Sequence, residues 1–127
     1  KKIFDEIINI DFDYIIAVGG GKIIDTSKLL KYFFAKKKKQ KNLTVWPTLF
    51  GSGSEFTSSC VSYRNKRKTS IESNLMIPTN ILYDFSIAKQ AKRKYIIDAA
   101  LDCLCQSLES IWSKKIIRKV LTFLKKA

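Results

Sequence analysis

Three consecutive glycines constrain this chain more than any other feature of its sequence. Gly19, Gly20 and Gly21 follow the apolar run Tyr14–Val18 and precede a stretch in which apolar residues recur at helical spacing. The run is rich in β-branched residues, which predicts a strand buried on both faces of a parallel sheet. Glycines between a strand and a helix let the backbone approach a ligand closely, and the helix amides then face an anion.

Two interpretations of this glycine turn are open from the residues alone. It is either a phosphate cradle or an ordinary tight turn between a strand and a helix. The segment matches neither the spaced dinucleotide pattern G-x-G-x-x-G nor the P-loop pattern. The choice therefore depends on what the rest of the chain supplies.

The apolar pattern predicts a sheet region followed by helices. We expect parallel strands at Tyr14–Val18, Thr44–Trp46 and Ile81–Tyr83 in one sheet, with a helix at Lys22–Phe34. The remaining predicted elements are the end of a helix at Lys1–Asn9, a hairpin of Cys60–Tyr63 with Lys68–Leu75, and helical structure from Ala88 that includes Ile96–Trp112. The basic, amphipathic segment Lys114–Ala127 is either a membrane-surface helix or a helix that packs against another part of the protein.

A small, hydroxyl-rich segment, Thr48–Thr57, follows the second predicted strand. Its glycines and serines predict a flexible loop that is not part of the core. Loops of this composition offer hydroxyls and free amides to phosphates or sugars, although many such loops only connect elements.

The charge balance makes nucleic acid a candidate partner. The chain has 24 Lys and Arg against 11 Asp and Glu, a formal net charge of +13, and such a balance attracts polyanions. However, the lysine run Lys36–Lys41 has no interleaved aromatic residues on which bases could stack. The other basic stretches are dispersed, at Arg64–Lys68, Lys89–Lys94 and Lys114–Lys126. A basic nucleic-acid-binding module is therefore kept only as an alternative.

Other function classes are limited by residues that the chain lacks. It has no histidine, which removes the commonest metal ligand and the commonest general base. No run approaches the length of a membrane span. The three cysteines show no framework spacing, which indicates a reducing compartment and a cytoplasmic location. Cys103 and Cys105, two residues apart, are interpreted as small apolar fillers rather than as joint metal ligands.

Four motifs, in this order along the chain, resemble the iron-containing alcohol dehydrogenase family, within the superfamily that includes glycerol dehydrogenase and dehydroquinate synthase. Asp13–Lys28 is similar to the family's glycine motif, and Pro47–Thr57 is similar to its P-T-T-x-G-T-G-S-E-x-T motif. Lys68–Ile87 is similar to the family segment that ends in D-P-x-L, and Ala100–Glu109 is similar to G-M-D-A-L-x-H-x-x-E. Any single motif could match by chance, but four motifs in this order are specific to the family.

The resemblance implies an α/β fold: a Rossmann-like parallel sheet fragment followed by the start of an all-helical domain. Residues 1–87 would be the NAD(P)-binding domain without its first strands, and residues 88–127 the truncated beginning of the helical metal-binding domain. We expect such a fragment to be marginally stable and inactive by itself, because it leaves a sheet edge open and a helix without its bundle partners. For the full-length family the resemblance implies that homo-oligomers occur.

The resemblance also implies hydride transfer between NAD or NADP and an alcohol, aldehyde or ketone. The residues matching cofactor-contact positions are Gly19, Gly20, Gly21, Lys22, Asp25, Thr48, Ser52, Ser54 and Lys68. Asp102 matches the first ligand of a divalent iron or zinc ion, and Gln106 replaces the histidine that would be the second. Because a neutral amide oxygen is a poor ligand for these metals, we predict no tight metal binding.

The run Leu104–Ser113 resembles the branch of the family that includes phosphonoacetaldehyde reductase, and the expected substrate rests on this resemblance. A basic protein suits an anionic small-molecule substrate of that kind. An inactive nucleotide-binding remnant of such an enzyme is the main alternative, since the histidine ligand is replaced.

Overall fold

The computed structural model describes residues 6–64 and 67–113. Its elements are β1 (Tyr14–Gly19), α1 (Gly21–Lys36), β2 (Asn42–Pro47), β3 (Ser59–Arg64), β4 (Arg67–Glu72), a 3-10 turn (Asn74–Met76), β5 (Asn80–Ile81), α2 (Phe85–Lys89) and α3 (Arg93–Trp112). The backbone is helical at Glu6 and Ile7. The predicted helix end at Lys1–Asn9 is therefore described only in part, because residues 1–5 lie outside the described residues. The basic segment Lys114–Ala127 also lies outside them.

β1, β2 and β5 form a parallel sheet in the order β1-β2-β5, which confirms the predicted sheet. β1 pairs with β2 from Tyr14 opposite Asn42 to Gly19 opposite Pro47. The third strand is shorter than predicted, because only Asn80 and Ile81 pair with β2. After one more hydrogen bond, from Leu82 N to Val45 O at 2.9 Å, the chain leaves the sheet.

The core lies between this sheet and α1. Ala17, Ile24, Leu43 and Val45 are buried together, with Ile15 and Ile81 packed against them. The prediction that β1 is buried on both faces is wrong for the described residues. On its other face Tyr14, Ile16 and Val18 are 64%, 69% and 52% exposed, because α1 covers only the face that carries Ile15 and Ala17.

β3 and β4 form the predicted hairpin, from Ser59 opposite Glu72 to Arg64 opposite Arg67. The second strand stops before the predicted Leu75. There the chain turns into the 3-10 turn, whose start is capped by the Ser73 hydroxyl accepting from Leu75 N at 3.3 Å. The turn directs Met76 into the interior, where it is fully buried.

The helical part begins at Phe85, three residues before the predicted start. Asp84 caps α2 by accepting hydrogen bonds from Ser86 N at 2.9 Å and Ser86 Oγ at 2.5 Å. These bonds hold the pKa of the Asp84 carboxyl below its usual range. Cys103 and Cys105 on α3 are exposed, so their interpretation as fillers is wrong for the described residues. Within residues 6–64 and 67–113, no helix has the length and apolar character needed to cross a membrane.

Candidate functional site

The three glycines join the carboxyl end of β1 to the start of α1, as predicted. Gly19 has φ +155°, and a Cβ there would lie 2.8 Å from Ile23 Cγ1. Only glycine fits this position without a shift of its neighbours. Gly20 is the N-cap of α1 in an extended conformation, and Thr48 N donates to Gly19 O at 3.1 Å. The turn is thus held against the residue that follows β2.

The start of α1 is electrostatically uncompensated. Gly20 has no side chain to cap the helix, and the first turn contains no acidic residue. A Cβ added at Gly20 would meet nothing within 4 Å. Lys22, the second residue of α1, is exposed. Because first-turn amides and the helix dipole both favour negative charge, the geometry suits a phosphate-sized anion.

The loop of residues 48–57 packs against this helix start. A Cβ at Gly21 would lie 3.1 Å from Ser52 Oγ, and Ser54 N donates to that oxygen at 3.4 Å. The loop lies outside the apolar core, as predicted, but part of it is buried, since Ser54 and Glu55 are 7% and 5% exposed. Ser54 can be buried because α1 supplies its hydrogen-bonding partners, and the buried Glu55 accepts from the Tyr83 hydroxyl.

Two charged residues of α1 supply those partners. Asp25 Oδ1 accepts from Ser54 Oγ, and Asp25 Oδ2 accepts from Val61 N at 2.9 Å. Lys28 Nζ donates to Ser54 O at 2.8 Å, to Thr57 Oγ1 at 2.9 Å and to Ser59 O. Burial lowers the pKa of Lys28, and the Asp25 charge, 4.0 Å from Nζ, opposes this shift.

An aromatic cluster adjoins the loop at the same edge of the sheet. Phe50 lies with its ring centroid 5.4 Å from both Tyr83 and Phe85, and Phe56 lies 6.1 Å from Tyr83. Tyr83 donates from its hydroxyl to Glu55 Oε1 at 3.2 Å. Burial, together with the Glu55 charge, raises the pKa of Tyr83 to about 12.

Lys68 is not among the residues gathered at the glycine turn. It lies exposed on β4 opposite Tyr63, one pair from the end of the hairpin. The end of the hairpin that touches the loop is the opposite one, where Ser59 pairs with Glu72. Its predicted role therefore has no support from its position.

Asp102 and Gln106 lie on one face of α3, as predicted from their spacing. Gln106 Nε2 donates to Asp102 Oδ2 at 3.0 Å, and both side chains are exposed. Among the described residues no group of three His, Cys, Asp or Glu side chains is placed to hold a metal ion. One carboxylate and one amide do not fit the ligand set of an iron or zinc site.

The sequence patterns predict no role for Lys28, Glu55 and Tyr83, the residues that shape the loop. A signal was available for Lys28, which follows the buried Ile24 by four residues and so shares its helix face. A lysine on an apolar face indicates either a snorkelling side chain or a buried donor. No comparable spacing pairs Glu55 with Tyr83.

Comparison with known proteins places this strand, turn and helix in a family. The family model described as iron-containing alcohol dehydrogenase matches residues 1–85. The chain belongs to that family. The predicted family membership is thereby confirmed.

Individual relatives match the chain over a part of their length. The hydroxyacid-oxoacid transhydrogenase of Xenopus laevis, described as mitochondrial, is 34% identical over 78% of this chain and 26% of its own. The 4-hydroxybutyrate dehydrogenase of Clostridium kluyveri is 28% identical over 87% of this chain and 33% of its own. Sulfoacetaldehyde reductase of Bifidobacterium kashiwanohense, solved in complex with NAD+, has a TM-score of 0.78 and 25% identity, over 89% of this chain and 34% of that one. The chain therefore spans between a quarter and about a third of the length of these relatives.

Proposed function

We propose that the turn Gly19–Gly21 and the start of α1 bind the pyrophosphate of NAD or NADP. The observation that carries this proposal is the uncapped, acid-free helix start, with Ser52 packed against Gly21. The family membership supports it, and so does the NAD+ complex of the sulfoacetaldehyde reductase that shares the fold. Bound there, the reduced cofactor would supply the hydride that converts an aldehyde or ketone to an alcohol, and the oxidised cofactor would accept a hydride in the reverse direction.

The chain's own residues would bind and orient the cofactor. The amides of Gly20, Gly21 and Lys22 would donate to phosphate oxygens, and the Lys22 ammonium would add positive charge. Thr48 and Ser52 would offer hydroxyls to the phosphate or ribose from the loop. Lys68 remains a proposed contact of the nicotinamide ribose. No step is assigned to a metal ion, because the described residues do not form a site for one.

For the substrate we propose a small aldehyde or hydroxy compound that carries a carboxylate or sulfonate. The three relatives support this class, since their names specify hydroxyacids and oxoacids, 4-hydroxybutyrate and sulfoacetaldehyde. The net charge of +13 would raise the local concentration of such anions.

A second candidate function is nucleotide binding without turnover. The chain has no histidine, and an amide group of Gln106 already donates to the Asp102 carboxylate. The amide at position 106, where the family has a histidine ligand, favours a protein that holds the nucleotide but does not activate a substrate oxygen through a metal ion.

Titration of NADH into the chain, followed by nucleotide fluorescence, tests cofactor binding. Gly20→Asp is the informative variant, because Gly20 has extended N-cap geometry and open space for a side chain. Aspartate there should stabilise α1 by about 0.5–1 kcal/mol while its charge repels the phosphates. We expect Gly20→Asp to lower the affinity for NADH at least tenfold and to raise the melting temperature, both relative to the wild type.

The matched control is Gly20→Asn, which adds an N-cap side chain of the same size without the charge and should weaken NADH binding less than Gly20→Asp does. Wild-type protein that does not bind NADH, or equal binding by Gly20→Asp, would contradict the proposal. Turnover of 4-hydroxybutyrate with NAD+, but not of 1-butanol, supports the enzyme and its substrate class. NADH binding without turnover is expected of this chain under both candidates, because we predict that the fragment is inactive by itself. Stoichiometric zinc binding that Asp102→Ala abolishes would contradict the second candidate. Salt-dependent DNA binding without NADH binding would favour the nucleic-acid alternative.

A further inference from the structure

The carboxylate of Asp25 is directed at other parts of the protein. Both of its carboxylate oxygens accept hydrogen bonds from the protein, one from Ser54 Oγ and one from Val61 N. The residue is part of α1, whereas both donors belong to the chain that follows β2. The carboxylate thus joins the helix that begins at the glycine turn to the segment that contains the serine loop.

Lys28 makes the same connection one turn further along α1. An ammonium group has three protons, and all three are directed at this segment: at Ser54 O, Thr57 Oγ1 and Ser59 O. The side chain is 0% exposed. Its donors are therefore saturated and cannot reach a bound cofactor.

A lysine is needed at position 28 because of its hydrogen bonds to residues 54–59, and packing in the hydrophobic core does not require it. A buried ammonium loses its hydration, which an apolar side chain of similar length would not. Methionine at position 28, however, would leave two carbonyl oxygens and a hydroxyl without this donor. The charge is thus matched to the acceptors of residues 54–59.

We infer that Asp25 and Lys28 are positioning residues, a loop clamp that fixes residues 52–59 against α1 and so keeps Ser52 beside the glycine turn. The inference rests on the proposed cofactor site, and it replaces the direct cofactor contact predicted for Asp25. Without the loop clamp the loop would have to be ordered when the cofactor binds, and that cost would weaken affinity.

The test compares Lys28→Met and Asp25→Asn with Lys31→Met in the full chain. Asp25→Asn keeps the shape but replaces one of two acceptors by a donor, so it disturbs folding least. Lys31 is a matched control because it is also a buried lysine of α1, but it donates to Ile77 O and Thr79 Oγ1 rather than to the loop. Amide hydrogen exchange of Phe56 and Val61, NADH affinity and melting temperature are measured for each variant.

We expect both loop-clamp variants to accelerate exchange at Phe56 and Val61 and to weaken NADH binding at least tenfold. Lys31→Met should lower the melting temperature while leaving exchange at these two amides and NADH affinity within about twofold. If Asp25 and Lys28 contributed only to global stability, Lys31→Met would change exchange at Phe56 and Val61 and the affinity for NADH as much as the loop-clamp variants do.

Three results would overturn the inference: folded loop-clamp variants with wild-type exchange, accelerated exchange with unchanged NADH affinity, or equal weakening of NADH binding by Lys31→Met. If the wild-type chain fails to bind NADH, the cofactor proposal falls separately. The exchange data then decide whether Asp25 and Lys28 hold the loop: faster exchange supports that role, and unchanged exchange overturns it.

Discussion

The buried ammonium group of Lys31 makes the free energy of unfolding of this chain depend on pH. It is 8% exposed on the face of α1 that packs into the interior, and its ammonium donates to Ile77 O at 2.5 Å and to Thr79 Oγ1 at 3.3 Å. Thr79 Oγ1 in turn accepts from Leu43 N at 3.1 Å. Burial lowers the pKa of Lys31 from its ordinary 10.5.

The lowered pKa gives the sign of a pH dependence. As pH rises from the folded pKa toward 10.5, the native state releases the Lys31 proton first, so the unfolded state binds more protons. The free energy of unfolding of the wild type, relative to Lys31→Met, should therefore increase over this alkaline window, by at most about 1.4 kcal/mol per pH unit. Below the window the difference should be flat. Urea unfolding at closely spaced pH values measures it.

The comparison with Lys31→Met is needed because other groups titrate in the same range. The pKa of Cys60 is raised from 9.0 and that of Tyr83 from 10.0 to about 12. Their contributions to stability are complete below those ordinary values and are lost as pH rises above them. Both are present in the wild type and in Lys31→Met, so they cancel. The exposed Lys37→Met is the control variant, and parallel stability curves for wild type and Lys31→Met would contradict the prediction.

At the scale of elements, the contact between the loop and α3 depends on one glycine. A Cβ added at Gly51 would lie 2.3 Å from the Ala99 carbonyl oxygen and 2.9 Å from Ala99 Cα. Both atoms are backbone, so no side-chain rotation can relieve the overlap. We expect Gly51→Ala to separate α3 from the loop and to accelerate amide exchange in the helix around Ala99.

Gly53 provides the matched control for this prediction. It has φ +62° and nothing within 4 Å of an added Cβ. Gly53→Ala should therefore destabilise the chain through backbone strain alone, by about 1 kcal/mol, without a selective effect on α3. Unchanged exchange in α3 of a folded Gly51→Ala protein would show that the loop does not position this helix.

The same elements show how far sequence reasoning reaches. β1, the glycine turn, α1 and β2 were predictable because apolar periodicity and glycine each limit the backbone locally. The burial of Ser54 and Glu55 was not predictable, because it depends on Asp25, Lys28 and Tyr83, which are distant in sequence. Composition identifies a loop, but hydrogen bonds from another element decide whether it is exposed.

At the scale of the whole molecule, the charge and the apolar surface act in opposite directions. β1 is an edge strand in the sheet of the described residues, and its outward face presents Tyr14, Ile16 and Val18. α3 also exposes apolar residues, among them Leu101 and Leu104. Edges and faces of this kind favour association, while a net charge of +13 opposes it.

This opposition predicts self-association that strengthens with salt. Screening shortens the range of charge repulsion from about 10 Å at 0.1 M to about 3 Å at 1 M ionic strength, whereas apolar contacts persist. Sedimentation equilibrium should show monomer at low salt and a concentration-dependent oligomer at high salt.

Ile16→Glu should suppress the oligomer by placing a charge on the exposed face of β1. Tyr63→Glu adds the same charge to an exposed position of the hairpin and should have a smaller effect. Monomer at every salt concentration would show that the exposed face of the sheet does not mediate self-association. Sharp and reversible unfolding of that monomer would contradict the predicted marginal stability.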